Sequence, residues 1–122
     1  MALRYLNVPA EEAYIKLASL TTAGYIVWQA IEDLGDKHSG TDELDQTIKD
    51  EVNNLFNTWV NQTYQELIKT YYHKKEAMSF LKIRIMGATF PGQNKFISDT
   101  IGHLDARLKL LTKFTDQLTS RF

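Results

Sequence analysis

Residues Leu17 to Ile31 read LASLTTAGYIVWQAI, fifteen consecutive residues without a formal charge. Apolar or small residues recur at helical spacing here and in the flanking turns, in two sets. The sets are Ala13, Leu20, Val27 and Leu34, and Tyr14, Leu17, Thr21, Gly24, Trp28 and Ile31. One set predicts an amphipathic helix, whereas two sets cover more than half of the circumference and predict a helix buried on most sides. We therefore expect this helix to be the centre of a bundle, with Trp28 in the core.

The boundaries of this first helix follow from the residues around it. Pro9 suits a first helical turn, where the carboxylates that follow it are also favoured. Gly35 is a natural stop. The sequence thus predicts a helix from about Pro9 to Leu34, preceded by a short extended segment that packs on the bundle.

A second helical pattern is continuous for some thirty residues, from Leu44 to Tyr71. Ser39 or Thr41 can cap its start. No glycine or proline occurs from Asp42 to Met86, yet one straight helix of that length would measure about 65 Å at 1.5 Å per residue. Such a rod is too long for a compact domain of this size, so we predict a bend near residues 72–75.

The rest of the chain predicts a shorter helix and a long last one. Residues 79–88 fit either a strand or a helix, and we favour the helix because no other segment alternates to pair with a strand. After a turn at residues 90–92, a last helix begins near Asn94 or Ser98. Its apolar seam is Ile97, Ile101, Leu104, Leu108, Leu111, Thr115, Leu118 and Phe122. The predicted fold is all-α: one domain over residues 1–122, an antiparallel, four-helix bundle-like arrangement of three long helices and one shorter helix.

Composition limits where such a protein works. The chain has 122 residues and no cysteine, which fits a reducing compartment. The N-terminal residues lack the apolar run of a signal peptide. The uncharged stretch 17–31 is too short and too rich in hydroxyl groups to span a membrane. We expect a cytoplasmic protein with no membrane association.

No catalytic or metal-binding pattern is present. The histidines, His38, His73 and His103, lie in polar surroundings, and no serine has the flanking signature of a nucleophile. Helical-bundle metal sites use Glu-x-x-His pairs, which the sequence lacks. We predict a protein without enzymatic activity, cofactor or metal.

Two polar features of the sequence suggest binding. The first is an amide stripe on the second helix, formed by Asn54, Asn57, Asn61 and Gln65. Amides supply hydrogen bonds without the cost of burying charge, which favours a partner-binding face, although an uncharged solvated face is the alternative. The second is a basic cluster whose candidate anion-binding residues are Lys74, Lys75, Lys82 and Arg84.

The charges are divided between the two halves of the chain. Residues 1–66 contain eleven acidic and four basic side chains, net −7, and residues 67–122 contain four and ten, net +6. The basic half, from Lys69 to Lys113, can bind nucleic acid or pair with the acidic half.

We predict a protein–protein interaction or regulatory module that forms an antiparallel homodimer or binds another protein. In the predicted hairpin the uncharged parts, residues 17–25 and 52–60, lie side by side. The alternative is a nucleic-acid-binding regulator that uses the basic half.

Overall fold

The structure, a computed structural model, describes residues 6–37, 46–83 and 95–119. Among these residues it has four helices that pack against one another and no strand. The helices are α1, Ala10–Lys37; α2, Gln46–Thr70; α3, Lys75–Leu81; and α4, Lys95–Thr119. The predicted all-α bundle of three long helices and one shorter helix is confirmed. None of the described helices combines the length and the apolar character needed to cross a membrane.

Helix α1 runs antiparallel to both other long helices. Its N-terminal part lies beside the C-terminal part of α2, where Lys16 Nζ is 2.9 Å from Glu66 Oε2. Gly35, near its C-terminus, approaches Ile97 at the start of α4, whereas Gly24, near the middle of α1, approaches Leu108 near the middle of α4. Helices α2 and α4 are therefore roughly parallel to each other.

The short helix α3 fills the space between α2 and α4. Its Phe80 is fully buried and meets the indole of Trp59 edge-on, with ring centroids 5.6 Å apart. The guanidinium carbon of Arg107, on α4, lies 5.7 Å from the Phe80 ring centroid. Helix α3 therefore contacts both α2 and α4.

The most deeply buried helix is α4, whereas α1, predicted to be central, is the helix that packs extensively against both other long helices. Eleven residues of α4 are buried, and they include the predicted seam from Ile97 to Leu118 with the exception of half-buried Thr115. Helix α1 buries a narrower stripe, on which Leu17 and Ile31 are fully covered, and leaves a complete face open to solvent. Its uncharged residues predicted burial on most sides, which is wrong because uncharged and buried are not equivalent.

The predicted ends of α1 and α2 need small corrections. Helix α1 continues through Gly35 to Lys37, because Gly35 serves as a point of close approach to Ile97 rather than as a stop. The predicted bend after α2 is confirmed, since the helix ends at Thr70 and α3 begins at Lys75. Helix α3 ends at Leu81, and the remainder of the ambiguous segment, residues 84–88, lies outside the described residues, as do the capping candidates Ser39 and Thr41.

The segment before α1 closes the C-terminal end of α2. Leu6 is buried and forms an isolated antiparallel bridge with Tyr71. The backbone N–H of Asn7 donates to the Thr70 carbonyl at 2.8 Å, and its side-chain amide donates to the Tyr71 carbonyl at 3.1 Å. Carbonyls at a helix C-terminus have no partner within the helix, so Asn7 acts as a cap supplied from a distant part of the chain.

Candidate functional site

The uncharged parts of α1 and α2 lie alongside each other over their whole length. Lys16 pairs with Glu66 at 2.9 Å, and the indole N–H of Trp59 donates to the Leu20 carbonyl at 2.9 Å. Extended along two regular helices, this register places residues 17–31 beside residues 52–65. The overlap is longer than the predicted pairing of residues 17–25 with 52–60.

The outward side of α1 is a ridge of four exposed residues, here called the α1 ridge: Ile15, Ser19, Thr22 and Ile26. Ile15 is 61% exposed and Ile26 is 66% exposed. Large aliphatic side chains at this exposure are unusual when they share one helix face, because covering each would contribute about 1.5–3 kcal/mol.

The α1 ridge was not among the sequence predictions, although the spacing of its residues is visible in the sequence. The four residues follow a spacing of four, three and four, which places them on one side of a helix. Two other stripes of α1 fit the same periodicity with larger apolar content, so the pattern alone does not tell which face is left uncovered.

The amide stripe lies on the exposed surface of α2. All four of its members, Asn54, Asn57, Asn61 and Gln65, are exposed. Asn61 and Gln65 face α1 across a groove, and Asn54 and Asn57 continue the same face toward the start of α2. The α1 ridge and the amide stripe are together called the α1/α2 face below. None of their eight residues carries a charge, but Glu12, Lys16 and Glu66 lie between the ridge and the stripe at the N-terminal end of the ridge.

A groove of about 760 Å³ runs between the two helices at the N-terminal end of the α1 ridge. Its lining residues are Glu12, Ile15, Lys16, Ser19, Leu20, Asn61, Gln62, Gln65 and Glu66. The Lys16–Glu66 pair bridges the groove. The hydrogen bond from Lys16 lowers the pKa of the Glu66 carboxyl, and the charges of Lys16 and Lys69 add to this effect against the cost of burial. The pair therefore adds a favourable contact between α1 and α2.

The predicted anion-binding residues that the structure describes lie at the two ends of α3. Lys74 and Lys75 are exposed at the start of α3, whereas Lys82 is exposed just beyond its end. Seven helical residues separate the two positions, a distance of about 10 Å. Arg84 lies outside the described residues.

Arg107 belongs to the basic half in sequence but to the core in structure. Its side chain is 7% exposed and donates to the carbonyls of His103 at 3.1 Å and Leu81 at 2.9 Å. The guanidinium lies over the ring of Phe56 as well as that of Phe80. Burial lowers the pKa of Arg107. Its position removes one positive charge from the surface on which an anion would bind.

The remaining titratable groups do not converge on a cleft. His73 is exposed in the turn after α2, with its ring edge-on to Tyr72, and His103 is half-buried near the opposite end of the bundle. Within residues 6–37, 46–83 and 95–119, no three side chains of histidine, cysteine, aspartate or glutamate lie close enough together to hold a metal ion. His38 is outside these ranges.

Comparisons of the chain with protein-family models, with curated proteins and with solved structures found no match. The strongest candidate site is the α1/α2 face, because two large aliphatic side chains, Ile15 and Ile26, are exposed on it.

Proposed function

We propose that this chain is a cytoplasmic protein–protein interaction module without enzymatic activity, and that it associates with itself through the α1/α2 face. The observation that carries the proposal is the exposure of Ile15 and Ile26 on one face of α1, whose other ridge residues, Ser19 and Thr22, are uncharged. Interface centres are depleted of charged residues, and their polar contacts come from groups such as amides and hydroxyls. The α1/α2 face has this composition.

Self-association in particular is favoured by the lack of charge. In a two-fold symmetric dimer the same patch meets itself, so every charge near the axis faces an identical charge. Between Lys16 and Glu32 on α1, and between Glu51 and Glu66 on α2, there is no charge to repel its copy. The opposite net charges of the two halves of the chain assist the orientation of two copies.

Sedimentation velocity at micromolar concentration tests this proposal. We expect a dimer for the wild-type chain and a monomer for Asn57→Lys/Asn61→Lys and for Ile15→Lys/Ile26→Lys, because each change buries cations in the interface. Ser79→Lys, at an exposed position on α3, is the matched control and should leave the dimer intact. Circular dichroism establishes that each variant keeps its helices. A wild-type monomer at tens of micromolar, or a dimer that all of these variants retain, would refute the proposal.

A nucleic-acid-binding regulator is the second candidate, supported by the net charge of +6 in residues 67–122 and by the exposure of Lys74 and Lys75. The separation of Lys82 from them and the burial of Arg107 weaken it. Phosphate contacts release counterions, so such binding would fall steeply with added salt. We expect no complex tighter than micromolar with a duplex or a single strand at physiological salt. Tight, salt-sensitive binding that Lys74→Glu/Lys75→Glu abolishes would reverse the order of the two candidates.

A further inference from the structure

The spacing along the α1 ridge reads the same in both directions. From Ile15 the steps are four residues to Ser19, three to Thr22 and four to Ile26, with the large residues at the ends and the small ones in the middle. When such a helix packs on an inverted copy of itself, a large residue of one copy meets a large residue of the other and the small residues meet in the middle. The midpoint lies between residues 20 and 21.

We infer that two copies of this chain pack α1 against α1 in antiparallel orientation, with the two-fold axis at this midpoint. This inference rests on the proposed self-association and specifies its geometry. In this register, Ile15 of one copy meets Ile26 of the other, and Ser19 meets Thr22. The small central side chains let the backbones approach, and the isoleucines at each end fill the space beside them.

Charges on α1 favour the antiparallel orientation over the parallel one. In a parallel pair, Glu12 would face Glu12 of the second copy and Asp33 would face Asp33, and like charges in contact are unfavourable. In the antiparallel register, Glu12 faces the amide side chain of Gln29, and Asp33 faces Val8. No carboxylate on the outer side of α1 then opposes another.

The charges of α2 are also complementary in this arrangement. Its N-terminal end carries Asp50 and Glu51 with one cation, Lys49. Its C-terminal end carries Lys69, followed by Lys74 and Lys75, with one carboxylate, Glu66. When one copy is inverted, the acidic N-terminal end of its α2 lies at the same end of the dimer as the basic C-terminal end of α2 in the other copy. Complementary ends select this orientation during encounter.

The α1 ridge alone is too small for a stable interface. It spans eleven residue steps, about 17 Å, whereas a standard interface covers roughly 800 Å² on each partner. The amide stripe of α2 adjoins the ridge and supplies the additional area. Asn57 and Asn61 would lie within this additional contact area, with hydrogen bonds to the second copy or to bridging water.

Disulfide cross-linking tests the register, because the chain contains no cysteine and an introduced thiol has no competitor. The two variants are Ile15→Cys and Ile26→Cys, each first examined by sedimentation under reducing conditions to establish that it remains a dimer. In the proposed register two copies of residue 15 are about 17 Å apart along the axis. A disulfide requires Cα atoms within about 7 Å. Neither variant alone should therefore cross-link, whereas an equal mixture should.

The expected rate difference is large. Thiols held in contact by the dimer have an effective concentration near millimolar, so at about 10 μM protein the mixture should cross-link roughly a hundredfold faster than either variant alone. Ser79→Cys, far from the ridge, gives the rate of random collision. Rapid cross-linking of Ile15→Cys by itself would show a parallel pair and overturn the inference.

Two further outcomes separate this inference from the proposed function. A wild-type dimer whose cysteine variants stay dimeric, with no cross-linking above the Ser79→Cys rate in any mixture, would place the contact elsewhere on the surface. The α1 register would then be wrong and self-association would stand. If the wild-type chain sediments as a monomer, both the α1 register and the proposed self-association are wrong.

Discussion

The indole ring of Trp59 lies so close to Gly24 that a Cβ atom on Gly24 would be 2.7 Å from Trp59 Cζ2. On the other side, the same Cβ would be 2.6 Å from Leu108 Cδ2. The Trp59 N–H donates to the Leu20 carbonyl one turn earlier, which fixes the position of the ring. Three long helices therefore meet at a residue that has no side chain, and the closeness of α1 to both neighbours depends on it.

Gly24→Ala should destabilise the protein. Alanine is better than glycine in a helix by about 1 kcal/mol, but forcing a methyl group into a packed core costs about 1–3 kcal/mol or more. Because both contacts would fall below 3.0 Å and one is with a rigid ring, we expect a net loss of about 2 kcal/mol. Urea denaturation followed by circular dichroism measures it.

Gly35→Ala is the matched control on the same helix. Its added Cβ would be 3.2 Å from Ile97 Cγ2, a contact that a small side-chain shift relieves. The gain in helix propensity should then balance the crowding, leaving stability within about 0.5 kcal/mol of the wild type. Equal losses in the two variants would show that glycine is needed in α1 for another reason than the contact with Trp59.

The helices themselves could be predicted from the sequence because their apolar residues recur at regular spacing. The seam of α4 from Ile97 to Leu118 is the clearest example, and the bend after Tyr71 followed from the length of a compact domain. These features depend on local pattern and on size, which a single sequence contains.

The orientation of each face could not be predicted in the same way. Trp28 and Trp59 both lie on apolar helical stripes, yet Trp59 is 2% exposed and Trp28 is only partly buried. Which stripe is covered depends on the neighbouring helices, above all on α3, whose Phe80 covers Trp59. The same holds for Arg107, since a basic residue predicts a surface position unless its buried carbonyl and ring partners are known. The exposure of Ile15 and Ile26 was missed for this reason.

The two tryptophans should differ in their contribution to stability. Trp59→Ala should cost about 3–5 kcal/mol, as for a large buried aromatic side chain. Trp28 was the residue predicted to be in the core, but its indole N–H bonds to Glu32 on its own helix and part of its ring faces solvent. Trp28→Ala should therefore cost less than about 2 kcal/mol. Denaturant melts of both variants decide the order, and a larger loss for Trp28→Ala would contradict this assignment of the core.

Asn7 should stabilise the fold by capping α2 from outside. Asn7→Ala removes the side-chain donor to the Tyr71 carbonyl and leaves the backbone bond to Thr70 in place. Losses of about 1 kcal/mol are typical when a helix cap is removed. Asn53→Ala, an exposed asparagine on α2, is the control and should change stability by less than about 0.5 kcal/mol. If both substitutions have the same small effect, Asn7 contributes no cap.

The Lys16–Glu66 pair should make a small, pH-dependent contribution. The folded state lowers the pKa of Glu66, mainly through the hydrogen bond from Lys16. A lowered pKa stabilises the fold above the unfolded value of about 4.3, and this stability is lost as pH falls through the folded value. Both side chains are about 30% exposed, so Glu66→Gln should cost less than about 1 kcal/mol at pH 7.

Stability measured against pH tests the sign of this effect. The difference between wild type and Glu66→Gln should be constant from pH 7 to about pH 5 and shrink toward zero below about pH 4. Glu51→Gln, which changes an exposed carboxylate of the same helix, is measured beside it as the control. A Glu66→Gln penalty that grows in acid would mean that the pair does not stabilise the charged form.

Arg107 should stabilise the fold through its length and packing more than through its charge. Its stem and guanidinium fill the space between Phe56 and Phe80, so Arg107→Ala should cost about 2–4 kcal/mol. No ion pair to Arg107 is found among the described residues, and its Nε is buried without a hydrogen-bond partner there.

Arg107→Met keeps the length of the side chain and removes a buried cation, so its loss of stability should stay below about 1.5 kcal/mol. Arg107→Lys keeps the charge in a more strongly hydrated form and should lose more than Arg107→Met. Denaturant melts of the three variants give the order of their stabilities. If Arg107→Lys is as stable as wild type and Arg107→Met is as unstable as Arg107→Ala, the charge itself is required.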